Sequence, residues 1–538
     1  MSFPPATRGQ RRTRGGEAAG GRFLRFLRWA RSWLLTTNHK RIGILYLIVV
    51  FVWFLFAGLD GLAMRAELAT PQTDLFQPDL YDGLFTVHGT QMLFLFAIPI
   101  FSGFGNAFVP KMVGAKDMAF PRLNALSFWL IFWAGIVLRL PLYARLFPTE
   151  GWTSYAPLSL TPFSSTTGED WWIVAVFLET VASTLAAVNF LVTIQRERRK
   201  GVRYFSLPVF AWGVITASLL AVVAGPFLLG ALAMLFFDRW YGTSFFDPSL
   251  PNGTLLWQHI FWFYSHPATY IMVLPAFGIM GEVIPLFAGK PLFSYRWVVW
   301  SLLGTTLVSA TVFWHHMFVT GQEEAYSTFS SVTTFLVSVP TGVLFLNYLA
   351  TLWRGTIRFA TPMLFALGIL ALFTVGGADG LYLASIPLDR ALHSTYWLIG
   401  HIHFVLFGGS AMGAFAGLYY WFPDLWGRRL DERWGRVHFW GTLVGVVLTF
   451  FPMHFLGTEG MVRRVISYPP GLFDLNAIST LGAVLTGLAQ VVLLGNVLYT
   501  LFRPLRADDV PWGAPLRADD QLAAPVALEP TSVAGGSG

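Results

Sequence analysis

A chain of 538 residues that is 55% hydrophobic and only 12% charged falls outside the ordinary soluble class, whose charged share is about twice as large. It holds no cysteine, which excludes disulfides, thiolate metal sites and covalent c-type haem attachment. Its net charge of +7 comes from basic clusters set between long apolar runs, a topology signal rather than a nucleic-acid footprint.

In chain order, residues 1–38 are rich in Arg and Gly and lack an apolar core segment, so they are predicted to be a disordered basic tail and not a secretory signal. Crossing a bilayer takes roughly 20 apolar residues in a helix. Twelve runs meet that need, near 42–64, 85–110, 125–143, 171–195, 207–237, 256–288, 297–319, 329–352, 358–386, 391–422, 436–457 and 478–502. Several are longer than one crossing requires, which predicts tilted helices. Residues 504–538, rich in Ala, Pro, Asp and Gly, are predicted to be a flexible tail. The expected fold is an all-α integral membrane protein, one domain over 39–503 built as a bundle of twelve transmembrane helices without internal repeats. An even number of crossings puts both termini on one side. The segments on that side, including 8–41 and 196–203, hold most of the 36 Lys and Arg, so both termini are expected in the cytoplasm, near anionic lipid.

The polar residues inside these runs carry the chemistry. Of eleven histidines, His88, His266, His315, His316, His401 and His403 interrupt apolar stretches, where a polar side chain is costly and marks function. His401 and His403 are two apart, about 200° around a helix. They face opposite sides and cannot serve one haem together; the spacing suits two haems, or two hydrogen bonds to neighbouring helices. His266 and Tyr270, in HPATY, are stacked four apart on one face. Adjacent His315 and His316 in HHMF add two more imidazoles. Three imidazoles with an open position suit a first-row metal, with copper favoured by the affinity order. His88, in TVHGT, is a partner for an unpaired imidazole of the tenth run. A haem held by two histidines would be closed and fit for electron transfer, and one held by a single histidine would keep an open face.

TVHGT, HPATY, HHMF and GHIHF at these separations resemble subunit I of the haem–copper oxygen reductases of the cytochrome c oxidase type, over the stretch from Thr36 to Val465. The resemblance implies two haems and one copper. His88 and His403 would be the axial ligands of a low-spin haem, and His401 the proximal ligand of a high-spin, oxygen-binding haem. His266, His315 and His316 would bind copper, with Tyr270 covalently linked to His266. Arg65 matches the arginine that meets the formyl group of haem A, Arg463 and Arg464 match the pair that holds haem propionates, and Trp262 and Asp389 fall at cofactor-binding positions. The implied activity is four-electron reduction of O2 to water in a proton-translocating respiratory oxidase, with Tyr270 supplying the last electron and proton for O–O cleavage.

The same resemblance implies a proton path from Asp117 past Asn106, Asn124, Asn189 and Ser183. Many members end it at a glutamate in HPEVY. Here Ala268 stands in that place, and YSHP resembles the subfamily in which a Tyr-Ser pair replaces the glutamate, so the upper end moves to Tyr264 and Ser265. A second path departs further. Leu344 occupies the family's lysine position after PTGV, although Thr341 and Glu282 remain, and Gly281 replaces a serine. Leucine cannot carry a proton, so altered pumping or kinetics are expected, with oxygen chemistry retained. Ser394 replaces an acid that helps bind Mg2+, leaving His393 as a candidate ligand with less charge for a hard ion. Glu179 matches no family role; a buried acid there is expected to be protonated or paired.

The relatives to separate are a quinol-fed oxidase and nitric oxide reductase, which shares the six-histidine framework but lacks the tyrosine. Cysteine-free, this chain leaves any binuclear copper centre to a subunit II. Further expected partners are subunit III, small subunits, cytochrome c or another donor, O2 and lipid, with no nucleic acid. The expected location is the inner membrane of a prokaryote.

Overall fold

The computed structural model describes residues 24–25 and 27–513. Among these, twelve helices are long and apolar enough to cross a membrane: α1 His39–Glu67, α2 Pro78–Val113, α3 Pro121–Tyr143, α4 Gly168–Glu197, α5 Val209–Tyr241, α6 Gly253–Ala288, α7 Tyr295–Met317, α8 Glu324–Leu352, α9 Thr361–Ala384, α10 Tyr396–Trp426, α11 Glu432–Thr458 and α12 Pro470–Phe502. Helices prevail because lipid offers no partner for backbone N–H and C=O groups, so each segment must satisfy its own. Each apolar run of the sequence falls on one of these helices, four of them overshooting its ends by up to five residues, and the described residues hold no strand, only an isolated bridge between Thr395 and Val462. The bundle is an all-helical membrane architecture.

Burial orders the bundle. In α6, 94% of the most apolar stretch is buried, against 17% in α8. α6 is therefore the central post, and α8 offers most of its surface to lipid. Consecutive helices pack against one another, and α12 returns to α1, closing the bundle. Asn38 caps α1 by accepting from the backbone N–H groups of Lys40 and Arg41 at 3.1 and 3.2 Å.

Three helices depart from regular geometry where the functional side chains sit. α2 widens into a π segment over Gln91–Ala97 and α10 into another over Phe407–Ala411, each beginning within four residues of a histidine, His88 and His403. π segments of this kind collect at functional sites because they re-aim side chains without ending the helix. α7 is α-helical only to Ser309, and Phe313–Met317 is a 3-10 turn carrying His315 and His316. The apolar run over 297–319 does not distinguish the two geometries.

The flexible tail expected from residue 504 differs at its start. Residues 504–513 fold back on the bundle: Asp509 pairs with Arg503 at 2.5 Å, Arg429 lies 3.9 Å over the Trp512 ring, and Tyr420 donates to Gly513 O at 3.0 Å. The pairing lowers the Asp509 carboxyl below its ordinary range. Acidic and aromatic residues inside a polar-looking tail supplied these anchors. The remainder of that tail, 514–538, and residues 1–23 of the basic tail expected over 1–38 lie outside the described residues, while residues 27–34 of that basic tail form a helix in place of the predicted disorder.

Candidate metal and haem sites

Three imidazoles converge between α6 and the 3-10 end of α7. His266 Nδ1 lies 3.1 Å from His316 Nε2, and His315 Nε2 lies 3.1 Å from the same atom. One ligand nitrogen from each of the three lies within 4.8 Å of the others. Two nitrogens bound tetrahedrally to one ion at about 2 Å sit about 3.3 Å apart, so the cluster already has metal-site dimensions. The 3-10 turn makes this possible, since it lets neighbouring residues aim both rings at one point. Supports lock the rings: His315 Nδ1 meets Thr334 Oγ1 at 2.9 Å, and Trp262 stacks on His316 at 3.7 Å between centroids. Trp262 is itself held by donating to Tyr155 OH at 2.7 Å. Such outer partners set ring orientation and tautomer.

The Tyr270 ring centre lies 4.9 Å from that of His266. The other nitrogen of His266, Nε2, is buried and has no hydrogen-bond partner. One nitrogen thus faces the cluster, and the second is left without a partner beside a phenol ring.

His88 and His403 face each other with centroids 6.4 Å apart and planes 21° from parallel. Two metal–imidazole bonds of about 2 Å each, together with the ring radii, fill that interval. His88 Nδ1 meets Ala57 O at 2.7 Å and His403 Nδ1 meets Ile399 O at 2.8 Å, so Nε2 of each is the nitrogen free to coordinate. His401 follows the same rule, with Nδ1 against Gly376 O at 3.0 Å. The two histidines of α10 point apart, as their spacing predicts.

Charged groups border these sites. Arg65 is buried, and its Nη2 donates to Asn476 O, Asn476 Oδ1 and Thr480 Oγ1 at 2.8, 3.2 and 2.9 Å, while Nε and Nη1 have no partner. Arg463 and Arg464 stand side by side, and among the described residues no carboxylate pairs with either. Arg464 makes only long contacts, to Glu150 O at 3.4 Å and Thr153 Oγ1 at 3.3 Å. Burial, then the charge of Arg463, pushes Arg464 down to about 10. Two crowded guanidiniums of this kind are a receptor for carboxylates. A Cβ at Gly151 would fall 2.6 Å from Arg464 Cζ, so a residue larger than glycine would displace that guanidinium. Arg463 N donates to Ser394 O at 2.9 Å, tying the arginine loop to His393, whose Nδ1 meets Asp389 Oδ2 at 3.0 Å. Among the described residues no third acid or histidine joins that pair into a metal cluster.

The remaining expected residues form two polar trails. On the first, Asp117 accepts from Met118 N at 2.8 Å, and Asn189 is clamped to Phe120, accepting from its N–H at 3.0 Å and donating to its carbonyl at 3.1 Å. Asn106 Oδ1, both amide atoms of Asn124, Tyr264 OH and Ser265 Oγ are buried without protein partners. Buried polar atoms of that kind are where internal water binds. Ser183 lines a cavity of about 40 Å³ on the same side. On the second trail, Thr341 Oγ1 lies 3.5 Å from Thr305 Oγ1, Glu282 Oε1 accepts from Phe210 N at 3.2 Å, and Leu344 is fully buried. A Cβ at Gly281 would meet Val209 Cβ at 2.6 Å, so the serine position has no room for a side chain.

Several partners have no local sequence signal: Tyr155 under Trp262, Thr334 under His315, Asp379 meeting His454 at 3.1 Å, and Asp60 pairing with Arg139 at 2.7 Å inside the membrane. Polar letters in apolar runs could have flagged Thr334, Asp379, Asp60 and Arg139, whereas Tyr155 lies in a loop between two runs and carries no such signal.

Residues 41–485 match the family described as cytochrome c and quinol oxidase polypeptide I. Cytochrome c oxidase subunit 1 of Thermostichus vulcanus is 45% identical over 90% of this chain and 88% of its own length. The protein of that name in Synechocystis sp. is 44% identical over 93% of this chain and 90% of its own. A cryo-EM structure of a haem–copper terminal oxidase dimer shares the fold, with a TM-score of 0.76 at 17% identity, covering 90% of this chain and 87% of that one.

Proposed function

Since this chain belongs to the cytochrome c and quinol oxidase polypeptide I family, we propose a role for each of its site residues in the work of a terminal oxidase. It is the catalytic subunit of a cytochrome c oxidase, a multi-pass membrane protein of a multisubunit enzyme with haem and copper cofactors. When bound, the haems and copper supply the four-electron reduction of O2 to water.

His88 and His403 would hold one haem iron through their free Nε2 atoms, and His401 would hold a second. His266, His315 and His316 hold copper. The observation that carries the assignment is the convergence of three imidazoles at 3.1 Å spacing beside Tyr270. Tyr270 holds a proton at its hydroxyl next to that site, and His266 Nε2, buried without a partner, fits a covalent bond to its ring. Arg463 and Arg464 neutralise propionates. Trp262 keeps the His316 ring in place by stacking.

Arg65 keeps two unpartnered donors, Nε and Nη1, which suit a formyl oxygen and so favour haem A. Arg65→Leu is expected to shift the low-spin haem absorption band while leaving the carbon monoxide response in place. An unchanged band would remove the argument for haem A.

Protons enter by the Asp117 trail and reach the site near Tyr264 and Ser265. The second trail is weak here, because Leu344 and Gly281 place no proton carrier on it. Cytochrome c delivers electrons through a subunit II bearing a binuclear copper centre, and subunit III and small subunits complete the enzyme. His393 and Asp389 alone make a poor Mg2+ site. The positive-inside rule puts both termini in the cytoplasm, in the inner membrane of a prokaryote. Tyr270 favours this reading over a nitric oxide reductase.

The test is copper content. The assembled enzyme is expected to carry three coppers for every two haems, one in this chain and two in subunit II, and His316→Ala to lose one of the three while keeping both haems. Copper retained at the original ratio in His316→Ala would overturn the ligand set.

A further inference from the structure

Glu179 lies in the middle of α4, fully buried, and no step above uses it. Neither carboxylate oxygen has a hydrogen-bond partner, and no cation acts on it. An unpaired carboxylate in such a place is expensive, and a structural acid would be tied into a network. A buried carboxyl without a partner is cheaper as the neutral acid than as a carboxylate, which makes it a candidate proton donor.

Its surroundings suit transfer. Thr180 and Ser183 are its polar neighbours. Ser183, four residues on, shares its helix face and also stands beside the Tyr264 hydroxyl, which is buried and unpartnered. The titratable groups facing Glu179 are Tyr264 from α6 and Tyr46 from α1; Tyr46 already donates to Ser127 Oγ at 2.9 Å. On its other side Ser183 lines the cavity of about 40 Å³, together with Ser102 of α2 and Ser218 of α5. A water needs about 10–15 Å³ and two or more polar partners, and three serines provide them. Ser102 O accepts from Asn106 Nδ2 at 2.9 Å, linking the cavity to the Asp117 trail.

We propose that Glu179 is the proton-holding carboxyl of the uptake route, passing its proton through Ser183 toward Tyr264 and regaining one from the serine-lined cavity. The balance is one proton out and one in. The carboxyl O–H bond breaks as the Ser183 oxygen accepts a proton and hands on its own. The resulting carboxylate then regains a proton through the same Ser183 hydroxyl, since Ser183 and not Glu179 lines the cavity; the cavity water is reprotonated from the Asp117 trail, and no electron changes hands. Glu179 acts through hydroxyls rather than on oxygen, so it is a positioning residue for protons. The proposal rests on the oxidase reading.

The experiment uses the full-length, metal-loaded enzyme. Redox-induced infrared difference spectra of the unsubstituted protein are expected to contain the C=O band of a protonated carboxylic acid, which Glu179→Gln removes. In the same variant, proton uptake during turnover is expected to slow by about a hundredfold or more, the scale of losing a proton-transfer group, with copper content and carbon monoxide response unchanged. Glu179→Asp is expected to restore an acid band at a shifted position and part of the rate. If Glu179→Gln keeps the band and the uptake rate, the proposal is overturned while the oxidase reading stands. An unsubstituted protein without carbon monoxide response or copper would instead overturn the oxidase reading. Should Glu179→Gln fail to assemble, Glu179→Asp decides: a shifted band supports the proposal, and an unmoved band overturns it.

Discussion

Carbon monoxide added to the dithionite-reduced enzyme shifts only part of its haem absorption, and in His401→Ala the shifted part is lost. The expectation follows from how the three haem-facing histidines are arranged. His88 and His403 face each other at 6.4 Å, an interval that leaves no room for a further ligand on an iron between them. His401 turns the other way, its Nδ1 fixed by Gly376 O at 3.0 Å. Its Nε2 is left to coordinate, and the proposed ligand set assigns no second histidine to that iron, so it would keep an open position. Removing His401 leaves that iron without its protein ligand, and turnover is expected to fall on the order of 10³-fold or more, as when one member of a catalytic unit is deleted. The low-spin absorption stays. If all the haem responds to carbon monoxide in the unsubstituted protein, the pairing of His88 with His403 fails. If none responds, the open site is absent and the chain relays electrons only.

Tyr270→Phe is expected to abolish oxygen reduction while keeping both haems, copper and the carbon monoxide response. The substitution removes one hydroxyl and no metal ligand, and the ring that packs beside His266 remains, so assembly is preserved. What is lost is a proton held next to the three imidazoles and, with the phenol, the ring activation that the proposed bond to His266 Nε2 needs. Turnover is expected to drop on the order of 10³-fold, again the scale for a member of a catalytic unit. Mass spectrometry gives a second readout. The peptide containing His266 and Tyr270 should be lighter by two hydrogens in the active enzyme, and of ordinary mass in Tyr270→Phe. Appreciable oxygen turnover in Tyr270→Phe would remove the tyrosine from the mechanism, whatever its distance from His266.

The sequence was most readable where lipid imposes its demand locally. An apolar run long enough to cross must become a helix, and a histidine inside such a run must have a reason to be there. The opposed directions of His401 and His403 likewise follow from a spacing of two residues on a helix. Other features left no trace in the linear pattern. The 3-10 turn at Phe313–Met317 has the same letters as a continued helix, yet it brings His315 and His316 to one point. The π segments after His88 and His403 are equally silent. The tail from residue 504 looked solvent-loving, and its first ten residues are nonetheless pinned by Asp509 and Trp512.

The amino-acid sequence alone thus determined the number of crossings, the class of fold and the six imidazoles available for metals. Those properties depend on what each segment can satisfy by itself. Only the tertiary structure decided that the imidazoles grouped by the motifs meet at 3.1 Å, that Arg464 lies where Gly151 has no side chain, that Asp379 pairs with His454, and that Glu179 stands beside Ser183 near Tyr264 without a cation. Each of these joins residues far apart in the chain or on different helices, or turns on what surrounds a buried group. The distances between helices are set by the close packing of all twelve, a sum over contacts that no single stretch of residues contains.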